Sequence, residues 1–227
     1  MSNVWKAVMV IALLAVFFGL VTSPIGLAET KIVTPKGVYA QIDVRLAKET
    51  MLAIANGKPV EKQKAIESIK TNPANYAPPV FYLLSNALFQ DGKKDEGAFW
   101  FYAGQLRARF DANRCADVSA RQAVGILNQQ YGTPINKYMF QNIPKLEELV
   151  LRVVEWDRKT PHNYDHRWIN LHGMGAMTSA LDTKNSNSTQ AVLSLPKEQW
   201  NSIAEKTRID YLSGFKKMMI QIKNKKQ

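Results

Sequence analysis

Apolar residues recur three and four positions apart along most of the chain beyond residue 41, which is the spacing of one face of an α-helix. The stretch QIDVRLAKETMLAIAN, for example, places Ile42, Leu46, Ala53 and Ile54 at helical spacing, and Gly57 follows as a helix stop. No stretch alternates polar and apolar residues as a half-buried strand does. The pattern predicts an all-α protein whose helices cover residues 41–56, 59–70, 79–90, 96–110, 116–131, 144–158 and 196–222.

These helices are expected to form a single domain, residues 41–227, in which helical hairpins pack as a short repeat-like or irregular bundle. An extended lead-in, residues 29–40, precedes the domain, and a polar loop is expected near residues 182–191. Cys115 is the lone cysteine and cannot form an internal disulfide, so the fold must depend on its hydrophobic core. We expect Cys115 to be part of that core.

The first 28 residues have the layout of a secretory signal peptide. Lys6 precedes a run of fifteen uncharged residues, 7–21, and small residues precede a cleavage point after Ala28. The run is shorter than the roughly 20 residues that a membrane-spanning helix needs. We therefore expect a periplasmic or secreted protein, with an uncleaved membrane anchor as the alternative.

The strongly positive net charge restricts the kinds of partner that the protein is expected to bind. The formal net charge is +11 and falls to about +10 once Lys6 leaves with the signal peptide. Such a charge favours anionic partners, and export argues against nucleic acid. The sequence thus predicts an acidic protein partner, with a peripheral contact to an anionic membrane or envelope surface as another possibility.

Residues 79–110 predict a closely packed helical hairpin. Small residues are spaced to let two helices approach, with large apolar residues between them; the ordered set is Phe81, Leu84, Ser85, Leu88, Gly97, Phe101 and Gly104. This spacing resembles a tetratricopeptide repeat, and ALFQDGKKDEGAFWFYAGQ is similar to Sel1-type repeats. The resemblance covers about 30 residues as a single repeat, without a second copy at that period.

The resemblance implies a binding groove lined by the first helix of the hairpin. Its outward positions would be Tyr82, Asn86 and Phe89, together with Gln90. The alternative is that Tyr82 and Phe89 pack on neighbouring helices, because large aromatic side chains are mostly buried. The four consecutive aromatic residues 99–102 cover every side of a helix, so they predict a buried central helix.

Three arginines follow the aromatic run, namely Arg107, Arg109 and Arg114. As a surface patch they would steer an acidic partner toward the groove. The alternative is that they complement the dipole at the end of their helix. All six residues, the three arginines with Tyr82, Asn86 and Phe89, are the candidate binding residues.

The segment HNYDHRWINLHGM holds all three histidines of the chain. In a single helix, His162, His166 and His172 would face away from a buried stripe that contains Trp168. His162 and His172 would then lie about 15 Å apart along the axis at 1.5 Å per residue, too far to share one metal ion. We therefore predict solvated or locally hydrogen-bonded histidines, no metal site and no cofactor.

Catalytic motifs such as GxSxG, a P-loop or HExxH are absent from the sequence. The sequence therefore favours an exported, non-enzymatic binding protein of adaptor or immunity type that occludes an acidic partner. One alternative is a periplasmic hydrolase that uses Asp165 and His166 as an acid–base pair. Another is a binder of the cell-envelope surface.

Overall fold

The computed structural model describes residues 34–181 and 191–224. Within these ranges eight α-helices follow one another: α1 Arg45–Asn56, α2 Pro59–Thr71, α3 Pro78–Gln90, α4 Lys94–Arg114, α5 Gln122–Met139, α6 Ile143–Lys159, α7 Met174–Leu181 and α8 Trp200–Asn224. Short 3-10 helices join them at Gly37–Gln41, Pro73–Asn75, Val118–Arg121, His166–His172 and Lys197–Gln199. The all-α prediction is confirmed. The proposed signal peptide and residues 182–190 of the proposed loop lie outside the described residues.

β-structure in the described ranges is limited to one isolated antiparallel bridge between Cys115 and Ser194. None of the helices in the same ranges is long and apolar enough to cross a bilayer. Cys115 is buried, as expected for a small core residue. Burial raises the pKa of its thiol to about 11.

Among the helices that the structure describes, α3 and α4 form the most extensive contact. Ser85 Oγ donates a hydrogen bond of 2.6 Å to the Gly97 carbonyl oxygen. A Cβ atom on Gly97 would lie 2.9 Å from the Ser85 carbonyl oxygen, and one on Gly104 would lie 3.1 Å from Phe81 Cβ. The small residues therefore stand where the two helices approach, as their spacing predicts. Gly92 closes the turn between them with a φ of +82°, which favours glycine.

Helix α4 is the centre of the bundle, because α3, α5, α6 and α8 all pack against it. Its aromatic run is core, as predicted, with Trp100, Phe101 and Tyr102 buried and Phe99 packed at the core's edge. Helix α8 runs antiparallel to α4, since Asn113 bonds Thr207 near one end and Tyr211 bonds Gln105 further along. Because several helices pack on α4, its apolar residues are spread around the helix instead of being confined to one face.

Several predicted boundaries were wrong. The end of the lead-in, residues 29–40, was expected to be extended, but Gly37–Gln41 form a 3-10 helix. The helix expected to stop at Gly132 continues to Met139 with Pro134 inside it. A Cβ on Gly132 would meet Phe101 Cζ at 2.9 Å, so this glycine serves close packing against α4 rather than helix termination. Helix α7 was not predicted, because its eight residues are too few to show a period.

Candidate functional site

Two of the candidate arginines lie inside the protein. Arg107 is 0% exposed, and its Nε donates to Asp157 Oδ1 at 3.1 Å. Its remaining nitrogens donate to the carbonyl oxygens of Thr160 at 2.7 Å and Pro161 at 3.3 Å. The guanidinium carbon lies 4.4 Å from the centre of the Trp156 ring. The surface role predicted for Arg107 is wrong, because its side of α4 packs against α6.

Arg114 is also buried, and it binds Asp111 one turn earlier on α4. Asp111 Oδ1 accepts bonds from Arg114 Nε at 3.1 Å and from a terminal guanidinium nitrogen at 2.6 Å. Asp111 Oδ2 accepts from Tyr164 Oη at 3.0 Å and from Trp168 Nε1 at 2.7 Å. The carboxylate is thereby saturated. Asp111 holds the 162–172 segment against α4, and Arg114 neutralises its charge rather than steering a partner.

Asp157 forms a second buried charge centre, between α4, α6 and α8. It accepts from Arg107 on α4 and from Arg208 Nε on α8 at 2.8 Å. Burial by itself would raise the pKa of Asp157, but the neighbouring His162 and the charges of Arg107 and Arg208 outweigh it and hold that pKa below its ordinary value. Each charge is compensated by fixed partners, which is the usual condition for a buried ion cluster.

The predicted outward position of Tyr82 is also wrong. Its side chain is fully buried, and its hydroxyl donates to Asn128 Oδ1 at 2.7 Å. Burial raises the pKa of this hydroxyl far above its usual range. Tyr82 packs edge-on against Phe101, so it belongs to the hairpin core.

Three of the candidates do reach the surface. Arg109 is exposed, with its guanidinium 5.4 Å from the Tyr211 ring centre on α8. Asn86 and Phe89 are half-buried near the end of α3, where Gln90 Nε2 donates to Asn86 Oδ1 at 3.4 Å. Asn86 and Phe89 share one region of the surface, whereas Arg109 lies towards the other end of α4. The six predicted residues therefore do not form one site.

The three histidines do not share a helix face. Residues His166–His172 form a 3-10 helix and the chain before it is irregular, so the single-helix arrangement was wrong. His162 packs its ring against Phe110 and brings Nε2 to 3.3 Å from Asp157 Oδ1, without hydrogen-bond geometry. Within residues 34–181 and 191–224, no three histidine, cysteine, aspartate or glutamate side chains are grouped to hold a metal ion.

His166 and His172 are packed rather than solvated. His166 Nε2 lies 2.7 Å from Ser194 Oγ, and its ring meets Trp200 edge-on at 4.6 Å. Burial, with the positive charge of Arg114, lowers the pKa of His166 to about 4. Burial alone lowers the pKa of His172 to about 4 as well. Both rings are therefore neutral at pH 7. His166 links the 166–172 segment to Ser194 and Trp200, whereas the His172 ring packs on Trp168 within the segment.

Asp165 is not directed at His166. Its carboxylate accepts bonds from Arg167 Nε at 2.9 Å and from the Asp43 backbone N–H at 2.9 Å. Asp165 therefore joins the chain just before α1 to the 3-10 helix His166–His172. Ser194 is the polar partner of His166 instead, and sequence reasoning missed it because the two are 28 positions apart.

A surface cluster forms where α3 and α5 end and where α4 and α6 begin. We call Phe89, Lys94, Tyr138 and Lys145 the aromatic–lysine surface. The Phe89 and Tyr138 rings meet edge-on at 5.7 Å. Lys94 Nζ lies 5.9 Å and 5.6 Å from the two ring centres, and Lys145 Nζ lies 5.4 Å from the Tyr138 centre.

Asp95 holds this surface in place. Its Oδ1 accepts a 2.6 Å bond from Tyr138 Oη and an ion pair of 2.5 Å from Lys145 Nζ. The hydrogen bonds from Lys145 and Tyr138 lower the pKa of Asp95, so the carboxylate stays charged. Of this surface only Phe89 was predicted, since Tyr138 comes from a helix that was expected to end seven residues earlier.

No family model, curated protein or solved structure shows detectable similarity to this chain. The tetratricopeptide and Sel1 resemblance of residues 79–110 therefore stays a prediction. The function has to be argued from the chain's own residues.

Proposed function

We propose that the protein is a non-enzymatic binding protein that captures an acidic protein partner on the aromatic–lysine surface. The observation that carries this proposal is the pair of half-buried rings, Phe89 and Tyr138, with two lysine ammonium groups over them. Aromatic side chains that remain partly accessible, and are fixed in position, are typical anchors of protein interfaces.

Preorganisation supports this role. Tyr138 is held by Asp95 and by the Phe89 ring, so binding costs little side-chain entropy. Asn86 and Gln90 lie one turn or less from Phe89 on α3 and supply polar groups at the rim. The pattern of rigid rings with a polar rim matches the anatomy of a small binding surface.

The charge pattern supports an acidic partner. Lys93 and Lys137 are exposed beside Lys94 and Tyr138, so they add to the positive charge of Lys94 and Lys145. The nearby carboxylates Asp91 and Asp95 already bind Lys62 and Lys145. Glu147 and Glu148 are exposed on the next turn of α6, so the surface is mixed in charge. The lysines would therefore contribute more to the orientation of an acidic partner than to the overall electrostatic attraction.

The adaptor or immunity type is the form of this function that we favour. Such proteins act by covering a partner's surface, and they need rigid anchors rather than a reaction centre. The N-terminal layout of residues 1–28 would place the encounter in the periplasm or outside the cell.

The test is site-specific crosslinking in the producing cell, followed by affinity measurement with the partner so identified. A photoreactive residue at Lys94 should capture an acidic protein that the same residue at Lys64, on α2, does not capture. Phe89→Ala with Tyr138→Ala should then weaken the purified complex at least about tenfold, as removal of interface anchors does. The matched control is Val60→Ala with Leu151→Ala, two exposed aliphatic residues elsewhere. Equal loss in both pairs, or capture from both positions, would contradict the proposed surface.

A hydrolase is the second candidate, favoured by the 2.7 Å contact between Ser194 Oγ and His166 Nε2. A neutral histidine can accept the proton of a nucleophilic serine. Its pKa of about 4 makes His166 a weak base, however, and Asp165 is bound elsewhere. Covalent labelling by a fluorophosphonate, lost in Ser194→Ala, would establish this alternative; the binding proposal expects no labelling.

A further inference from the structure

The outer face of α8 exposes two large aliphatic side chains in one line. Ile209 is 63% exposed and Ile220 is 58% exposed. Their separation of eleven residues brings them back to within about 20° on a helix of 100° per residue. Lys216 and Lys217 are exposed between them. We call Ile209, Lys216, Lys217 and Ile220 the basic face of α8.

The opposite face of α8 fixes this orientation. Tyr211 and Met219 are buried in the main core, and the Phe215 ring packs edge-on against Tyr102 at 5.3 Å. Tyr211 Oη also donates to the Tyr102 carbonyl oxygen at 3.1 Å. Because these contacts prevent rotation of the helix, the two isoleucines cannot turn inward.

The charge along α8 changes at Asp210. Before it, Lys206 pairs with Asp210, and Glu205 pairs with Arg158 and Arg208, so that part of the helix is balanced. After Asp210 the sequence contains no aspartate or glutamate and five lysines, at positions 216, 217, 223, 225 and 226. The second half of α8 therefore combines the exposed Ile220 with Lys216 and Lys217, which form no ion pair among the described residues.

The side chains of the basic face of α8 favour a lipid surface over a protein as its partner. Lysine is depleted at protein interfaces, where aromatic residues and arginine dominate, and the basic face has neither aromatic residue nor arginine. Lysine acts as a flexible point charge without the planar geometry that recognises a particular carboxylate. Clustered lysines beside aliphatic side chains are instead the combination that binds anionic lipid headgroups.

We propose that the basic face of α8 docks the protein on an anionic phospholipid surface. The lysine ammonium groups lie among the phosphate headgroups, and the side chains of Ile209 and Ile220 enter the boundary with the acyl chains. Since α8 is antiparallel to α4, its lysine-rich end lies at the same end of the bundle as the aromatic–lysine surface. A membrane-docked protein would thus hold that surface close to the bilayer, where it could meet a membrane-associated partner.

The test is co-sedimentation of the full chain, in one purified form, with phosphatidylcholine vesicles that contain or lack phosphatidylglycerol. The readout is the extra binding to anionic vesicles, because the apolar residues 7–21, if retained, would add binding to both kinds. Lys216→Glu with Lys217→Glu should reduce this extra binding at least about tenfold, and Ile209→Ser with Ile220→Ser should reduce it severalfold.

Two matched controls separate local docking from bulk properties. Lys48→Glu with Lys64→Glu makes the same change in net charge on α1 and α2, and Val60→Ser with Leu151→Ser removes comparable exposed aliphatic groups. Both controls should retain the extra binding. An equal loss with Lys48→Glu and Lys64→Glu would mean that only net charge matters and would overturn the proposal. So would vesicle binding that is indifferent to every α8 variant, or α8 variants that abolish only binding to a protein partner.

Circular dichroism on each variant checks that the fold persists. If the glutamate pair unfolds the protein, Lys216→Gln with Lys217→Gln provides a milder removal of charge, for which the same loss of anionic binding is expected. Retained binding in a folded glutamine pair would contradict the docking role of these lysines.

Discussion

The first and second halves of α4 use the same kinds of side chain in opposite ways. In the second half, Arg107 and Arg114 are enclosed, and each is bound by a carboxylate and stacked on an aromatic ring. At the start of the helix, Lys94 also lies over aromatic rings, but those rings are half-buried at the protein surface. We infer from this contrast that a cation–aromatic contact can serve binding only where the cluster is accessible to a partner.

The largest loss of stability is expected when a carboxylate that pairs with a buried arginine is removed. Asp111→Ala leaves Arg114 without its buried counter-charge and takes the acceptor from Tyr164 and Trp168. We expect the free energy of unfolding to fall by about 3–5 kcal/mol, since one uncompensated buried charge remains. Chemical denaturation of both proteins measures this change in the free energy of unfolding. Asp210→Ala, which breaks an exposed pair with Lys206, is the control and should cost about 1 kcal/mol or less.

Acidification should produce the next largest effect, and between pH 6.5 and pH 4 it acts mainly on two packed histidines. The folded-state pKa of both His166 and His172 is about 4, below the ordinary value of 6.5. Between these pH values the unfolded chain binds more protons than the folded protein, so stability falls as the pH drops from 6.5 to 4. Asp157, whose folded-state pKa is lowered, adds a further loss only at still lower pH.

Thermal melts across this range measure the effect. The fall in melting temperature between pH 7 and pH 4.5 should be shallower in His166→Gln with His172→Gln than in the unchanged protein. An identical pH dependence in the two proteins would mean that the pKa values of these rings do not differ between the folded and unfolded states.

A smaller loss is expected where the helices of the hairpin touch. Gly104→Leu forces a side chain against Phe81 and Tyr82, which should lower the free energy of unfolding by about 1–3 kcal/mol through overpacking. Gly125 on α5 is the matched control, because a Cβ there meets nothing within 4 Å. Gly125→Ala should leave stability unchanged or raise it by up to about 1 kcal/mol. A destabilisation shared equally by both variants would place Gly104 away from the helix contact.

The smallest effect on stability is expected at the aromatic–lysine surface. Lys145→Ala removes an ion pair with Asp95 whose two side chains are 38% and 59% exposed. We expect a change of about 1 kcal/mol or less in the free energy of unfolding. The melting temperature should stay nearly constant while affinity for the acidic partner falls. A large loss of stability would mean that Lys145 stabilises the fold, as Arg107 and Arg114 do, rather than serving a binding surface.

The helical class and the hairpin could be predicted because they depend on local spacing. The Gly97 and Gly104 positions, for example, follow from which residues a close helix contact tolerates. Burial of Arg107 could not be predicted in this way. It depends on Asp157 and on the carbonyl oxygens of Thr160 and Pro161, some 50 residues further on, and no helical period encodes those partners.

The aromatic–lysine surface was missed for a related reason. Phe89 is local to the hairpin, but Tyr138 reaches it only because α5 continues through Gly132 and Pro134. A glycine and a proline two positions apart ordinarily predict a helix end. Here tertiary packing of Gly132 on Phe101 outweighs that local preference, and a single sequence carries no sign of it.

Reactivity of the arginines towards phenylglyoxal tests the division between interior and surface most directly. The three candidates lie within eight positions on one helix, so peptide mass mapping can compare them in a single sample of folded protein. We predict that Arg109 is modified readily, whereas Arg107 and Arg114 react only when the protein is unfolded. Modification of Arg107 or Arg114 at the rate of Arg109, with the protein still folded, would contradict the assignment of these arginines to the interior.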